Sequence, residues 1–238
     1  MNLQLNSYLI SELEQLLSKK LIAAGYHFDN IVLHKMAVYL FLLKTWSRAY
    51  NLTTVIEPEA MITRHILDSL AIKDYLQGPR IIDVGTGAGL PGLPLALACP
   101  ELQFYLLESN YKKIAFLNHV MMQLKLKNLV LLHTRVERYH PPECFNSIVT
   151  RAFSAINDML TLTKHLCCIN GRFLAMKGLF PTAELADLPS QFILDSVVSL
   201  QVSGLCAERH LVIIKFLQDA ADVSCRRLTS VGLAKTLL

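Results

Sequence analysis

From Asp83 to Gly89 the chain reads D-V-G-T-G-A-G, with three alternating glycines directly behind an apolar run. Glycines at this spacing strip side chains from a turn, so something can approach the backbone closely. The run before them, RIIDV, is β-rich, and the stretch after them, LPLALA, is apolar and suits a short helix. A strand, a glycine turn and a helix in that order form the place where a nucleotide-like ligand meets a doubly wound sheet. The spacing narrows the ligand. A dinucleotide fingerprint needs glycine or alanine at position 90, where Leu90 stands, and the Gly-Lys-Ser/Thr of a phosphate loop is absent. A ligand without a pyrophosphate fits better, because no diphosphate then needs the helix N-terminus. S-adenosylmethionine is such a ligand, and its aminoacyl end can lie along the turn.

Other residues carry weaker signals. Glu108 ends the next apolar run, about 20 positions after the glycines, where an acidic residue can accept ribose hydroxyls. Arg151 follows a fourth β-rich run, and its guanidinium fork suits a carboxylate or a phosphate. An ion pair with Asp158 or Glu137 is the plainer reading of Arg151. Arg48, Arg64, Lys112, Lys113 and Lys177 are candidates for RNA contact, set against solvated surface charge. His65 and Asp68 lie one helical turn apart on one face, where helix-packing hydrogen bonds are expected over a substrate role. Asn51 and Thr53 read as helix caps. The six cysteines form no C-x-x-C pair, and buried free thiols are expected rather than zinc ligands or disulfides. Cys167 and Cys168 fall in a helical pattern.

The elements that must hold these residues change character near residue 80. Before it, three stretches repeat apolar residues at three- and four-residue steps and read as helices. After it, strands are expected at RIIDVG, LQFYLLE, LVLLHTRVE, NSIVTRAF and GRFLAMKG, with helices at YKKIAFLNHVMMQLK and INDMLTLTKHL. FILDSVVSLQV and RHLVIIKFL suit a final antiparallel hairpin. Such alternation predicts an α/β fold, a mostly parallel sheet with helices on both faces. A helical extension over residues 1–78 is expected to pack on a Rossmann-like domain over 79–238.

Composition agrees with a globular chain. Of 238 residues, 53% are hydrophobic and 18% charged, and the formal charge is +4, which tolerates a nucleic-acid partner without demanding one. No apolar run reaches the length of a membrane span, and the N-terminus does not read as a signal peptide. A cytoplasmic monomer is the expectation.

Taken in order, NLTTVIEPEAMITRHILDSL, IIDVGTGAGLPGLPLALACP, LLESNYKKIAFL, RVE, TRAF, MKG and ERHLVIIK resemble the glucose-inhibited division protein B family. Its members are bacterial methyltransferases acting on a guanine N7 of small-subunit (16S) ribosomal RNA. The resemblance runs from about Trp46 to Lys215. It implies a class I methyltransferase fold, S-adenosylmethionine as cofactor, and 16S RNA or the small-subunit particle as partner. It places Gly85, Gly87 and Leu90 at the cofactor, Leu90 through its backbone. Val136 and Glu137 would border the adenine and Arg151 the mouth, with Asp83 and Glu108 completing the pattern. Val136 replaces a usual Ala and Ser47 a usual Asn. The tail departs more, with Ser224-Cys225-Arg226 and Thr236-Leu237 in place of the family's residues.

Guanine N7 carries a lone pair and no proton, so its methylation needs no general base. No catalytic acid–base residue is therefore expected, and no metal. The stretch TRAFS stands where an amino-group methylase carries an N-P-P-Y box, which argues against that subclass. Two other classes remain open on sequence: a nicotinamide oxidoreductase, disfavoured by Leu90, and a non-catalytic RNA-binding assembly protein, disfavoured by the intact turn with Glu108.

Overall fold

The computed structural model describes residues 3–153 and 155–217. Expectations for the tail, including Cys225, lie outside the described residues.

Among the described residues seven strands form one sheet in the order β3-β2-β1-β4-β5-β7-β6. They are β1 (Arg80–Val84), β2 (Gln103–Glu108), β3 (Leu129–His133), β4 (Phe145–Arg151), β5 (Cys167–Lys177), β6 (Phe192–Ser199) and β7 (His210–Phe216). β1 to β5 run parallel, and β7 is antiparallel to both β5 and β6. The strand order reverses direction between β1 and β4, and a crevice opens outside the carboxyl ends of strands at such a switch. This is a class I methyltransferase fold.

Successive side chains of a strand face opposite ways, so each strand feeds two cores. Ile81, Phe104, Leu106, Val149, Leu174 and Leu211 face one of them. Ile82, Val84, Leu107, Ile148, Phe173 and Val212 face the other. The first core takes the helices α1 (Leu3–Ala23), α2 (Asn30–Tyr50), α5 (Gly92–Ala98) and α6 (Tyr111–Leu124). The second takes α7 (Ile156–Thr163) and receives Leu185 of α8 (Thr182–Ala186).

The amino-terminal helices are joined to the sheet domain by packing and by hydrogen bonds. Fully buried Tyr39 of α2 donates from its hydroxyl to the Ala88 carbonyl of the glycine turn, at 3.0 Å. Trp46 packs on Phe116 and His119 of α6. Asn51 ends α2 in the left-handed conformation, with φ of 50°, which asparagine tolerates better than most residues.

The third helical stretch is not one regular helix. A short α3 (Pro58–Met61) leads into a π-helical turn at Ile62–Leu67 and then α4 (Asp68–Leu70). π-turns of this kind gather at functional sites.

Two cysteine expectations are corrected. Cys144 and Cys168 form a disulfide, whereas Cys99, Cys167 and Cys206 are free thiols. The cause is register: β4 and β5 pair Phe145 with Cys167, which brings the neighbouring cysteines together across the sheet. Cys167 also opens β5 rather than lying in a helix.

Candidate active site

The glycine turn leaves β1 and enters α5. Gly85, Gly87 and Gly89 all take positive φ, at 72°, 63° and 95°. They serve different ends. A Cβ on Gly87 would meet nothing closer than the Gly85 carbonyl at 4.0 Å, and one on Gly85 would only touch Phe153 at 3.5 Å. A Cβ on Gly89 would lie 2.9 Å from Leu117, and one on Gly92 2.3 Å from Leu106. The first two glycines therefore keep open space for a ligand, and the last two allow the turn and α5 to pack on the sheet.

Asp83 holds the turn from below. It is buried, and one carboxylate oxygen accepts from the Thr86 hydroxyl at 2.6 Å and the Gly92 N–H at 2.8 Å. Its reach to a ligand is through the turn, since it does not line the cleft above. Leu90 is likewise buried, with its N–H bonded to the Thr86 carbonyl. Its side chain packs in the core, away from the cleft.

Glu108, only 6% exposed, anchors the other wall. One oxygen accepts from the Gly87 N–H at 3.1 Å, and the other from the N–H groups of Ser109 and Asn110 at 2.8 Å. The carboxylate thus ties the end of β2 to the turn and still lines the cleft. That cleft, of about 300 Å³, is bordered by Gly85, Glu108, Val136, Glu137 and Phe153 among others. Gly85, Glu108, Val136 and Glu137, singled out from sequence, thus come together. Phe153, Arg135 and Ser109 also line it and were missed, because their nearness depends on how loops fold back over the sheet edge. A larger cavity of about 440 Å³ lies among α1, α2 and α3 and shares no lining residue with this cleft.

Arg151 does not pair with Asp158 or Glu137. It donates to Asp68 at 3.1 Å and to the Arg64 carbonyl of the π-turn at 3.1 Å. Arg209, just before β7, donates to the other oxygen of Asp68 at 2.8 Å. Ala152, next in chain, adopts a φ of 55°, a left-handed strain found at active-site turns. Asp68 and Arg209 were not read as partners. One cue existed: an aspartate inside the apolar run HILDSL has to be buried, and a buried carboxylate requires a partner.

The RNA candidates divide. Arg48, Arg64 and Lys112 are exposed. Lys113 reaches back to Glu108 at 3.5 Å, and Lys177 is held by Glu184 at 2.9 Å.

His65 bonds Thr53 rather than Asp68, at 3.1 Å, and its Nδ1 has no hydrogen-bond partner. Burial, assisted by the Arg151 charge, lowers its pKa from 6.5 to about 4. Burial raises Asp83 from 3.8 to about 6, against the bonds from Thr86 and Gly92. The two groups give opposite pH dependence. The stability contributed by His65 is complete above about 6.5 and is lost as pH falls toward 4, because the unfolded chain takes the proton first. That of Asp83 is complete below about 3.8 and is lost as pH rises through 6. His65→Gln therefore removes a contribution on the order of 3 kcal/mol to the acid loss. Urea unfolding at several pH values between about 4 and 6.5 should show the variant losing stability more steeply with rising pH than the parent. An unchanged slope contradicts the assignment.

The switch-point crevice, the open glycine turn and the acidic residue ending β2 define a class I methyltransferase. The chain belongs to the GidB family, described as rRNA small subunit methyltransferase G, whose model matches residues 32–212. Ribosomal RNA small subunit methyltransferase G of Idiomarina loihiensis is 51% identical over 173 residues, covering 73% of this chain and 84% of that protein. The Salmonella arizonae protein of the same name is 46% identical over 199 residues, covering 84% and 96%. Among solved structures, TrmN from Thermus thermophilus shares the fold at a TM-score of 0.50 and 17% identity, over 66% of this chain and 53% of that one.

Proposed function

We propose that this chain transfers the methyl group of S-adenosylmethionine to N7 of a guanine in small-subunit (16S) ribosomal RNA. The observation that carries this reading is the open Gly85–Gly87 turn tied to Glu108, in a chain of this family. The site fits the cofactor by its own geometry: a space kept free of side chains, a buried carboxylate at its wall and a cleft of about 300 Å³.

The cofactor supplies, when bound, a methyl group on a positively charged sulfur. Gly85 and Gly87 would let it lie against the backbone, Glu108 would accept hydroxyl hydrogens of its ribose, and Val136 and Glu137 would border its adenine. Arg151 would stand at the mouth. Guanine N7 would take that methyl group on its lone pair, leaving the sulfur neutral and the guanine ring positively charged. No proton moves, so these residues act by alignment and by excluding water. An arginine donating to N7 itself would occupy the attacking lone pair, so productive arginine contacts go to phosphate or to the guanine O6.

The decisive experiment is transfer of labelled methyl to 16S RNA or to the small-subunit particle, with the modified atom identified as guanine N7. Calorimetric titration with S-adenosylmethionine and with NAD separates this reading from an oxidoreductase. Binding of RNA without methyl transfer would favour an assembly protein. We further read residues 1–78 as a helical extension of a methyltransferase domain over 79–238, and the protein as a cytoplasmic monomer. No helix among the described residues is long and apolar enough to cross a membrane.

RNA affinity should be largely electrostatic, carried by Arg48, Arg64 and Lys112, with Lys113 and Lys177 tempered by their carboxylate partners. Each phosphate neutralised on a single strand should contribute about 0.7 to the slope of log affinity against log salt. Filter binding from low to high salt checks this, and an affinity indifferent to salt contradicts it.

A further inference from the structure

Asp68 comes from the amino-terminal helical region, yet its carboxylate sits between two arginines of the sheet domain. Its side chain is 4% exposed, against 23% for Arg151 and 25% for Arg209. Each carboxylate oxygen serves a different guanidinium: Oδ2 accepts from Arg151 Nη1 at 3.1 Å and Oδ1 from Arg209 Nε at 2.8 Å. Each arginine has a second anchor in a carbonyl, Arg64 for Arg151 at 3.1 Å and Glu208 for Arg209 at 2.8 Å. One arginine ends β4 and the other precedes β7, so both lie at the carboxyl edge of the parallel strands, where the cleft opens.

Two cations this close repel, and the shared carboxylate cancels that repulsion while leaving the group with one net positive charge. Both arginines keep the fixed fork geometry that suits an anion. The surrounding groups do not compete for the carboxylate: His65, the nearest titratable neighbour on the same stretch, bonds Thr53 instead.

We infer that Asp68 is a positioning residue for methyl transfer: it sets Arg151 and Arg209 side by side to receive a phosphate of the substrate RNA next to the target guanine. The inference rests on the proposed rRNA methyltransferase reading. It assigns a role to a residue outside the cleft and to a second arginine that the glycine turn does not imply. Asparagine at position 68 keeps the shape but offers one oxygen, and its amide donors would face the guanidinium that lost its acceptor. Glutamate keeps the charge on a longer arm.

The test is single-turnover methyl transfer to the small-subunit particle, at saturating cofactor and saturating particle, with melting temperature recorded for each variant. Asp68→Asn and Arg209→Gln should each slow transfer at least tenfold. Asp68→Glu should recover part of the loss. The double variant Asp68→Asn/Arg209→Gln should be no slower than the slower single variant, because the residues act as one unit. Melting temperature should not track the rates across the set. If Asp68→Asn does not fold, Arg209→Gln and Asp68→Glu still decide, since Arg209 is partly exposed and the glutamate retains the charge. Full-rate transfer by Arg209→Gln, rates that follow melting temperature, or strictly multiplicative losses in the double variant would overturn the inference. A parent protein that methylates no guanine in the particle would instead overturn the underlying reading.

Discussion

Gly87→Val should fold and yet fail to hold S-adenosylmethionine. The new side chain meets no protein atom closer than a carbonyl at 4.0 Å, so nothing within the fold rejects it. The cost to the free protein is conformational, about 1–2 kcal/mol for a side chain forced into the left-handed region at φ of 63°. The branched side chain would project into the space the cofactor requires. An affinity loss of at least about 100-fold, or roughly 2.8 kcal/mol, is expected by calorimetry, with a melting temperature only modestly lowered. Gly92→Val is the control with the opposite outcome. Its Cβ would lie 2.3 Å from Leu106 and 2.8 Å from an Asp83 oxygen, so the variant should be severely destabilised before any ligand is considered. Cofactor binding that survives Gly87→Val unchanged would move the site elsewhere.

Arg151→Ala should slow methyl transfer by about 100-fold or more, the scale seen when a preorganised charged donor is removed. Arg151→Lys keeps the charge and loses the planar fork, so it should recover only part of the rate. Neither change should alter the pH profile of the chemical step, because N7 gives up no proton. The parent should lack a basic limb assignable to a side chain between about pH 6.5 and 9. The two shifted groups beside the site are consistent with this, since His65 is held near 4 and Asp83 near 6. Single-turnover measurements across pH, with cofactor and RNA binding measured separately, give the answer. A full-rate Arg151→Ala enzyme would remove this residue from the site, and a basic limb traced to His65 would end the base-free mechanism.

Local signals in the sequence carried the architecture well. β1 is legible because its β-rich run stops at glycines, and the closing hairpin because FILDSVVSLQV and RHLVIIKFL are both strand-like and lie close in sequence. The turn and Glu108 are legible because their spacing is short and chemically restrictive. Features that depend on distant pairing were not. The Asp68–Arg151 bond spans 83 residues and the Asp68–Arg209 bond 141, with no local pattern at either end. The Cys144–Cys168 link follows from strand register across 24 residues, which composition does not encode. The start of β5 is not legible in TLTKHLCC, where mixed polar and apolar residues do not separate helix from strand; α7 stops at Thr163, and a single tight turn leads into β5. α8 is too short, at five residues, to announce itself by periodicity.

The sheet order has a consequence for the chain as it is synthesised. Among the described residues β7 is the last strand made, yet it lies between β5 and β6 rather than at the edge. Until it emerges, β6 has no neighbour to pair with, and β5 presents an open edge able to recruit another strand. The nascent chain by then already carries the glycine turn, Glu108, Asp68 and Arg151, but Arg209 arrives only with β7. Closing the sheet and delivering the second arginine to Asp68 are therefore one event, and an incomplete chain that can shape the cofactor cleft still lacks the finished mouth.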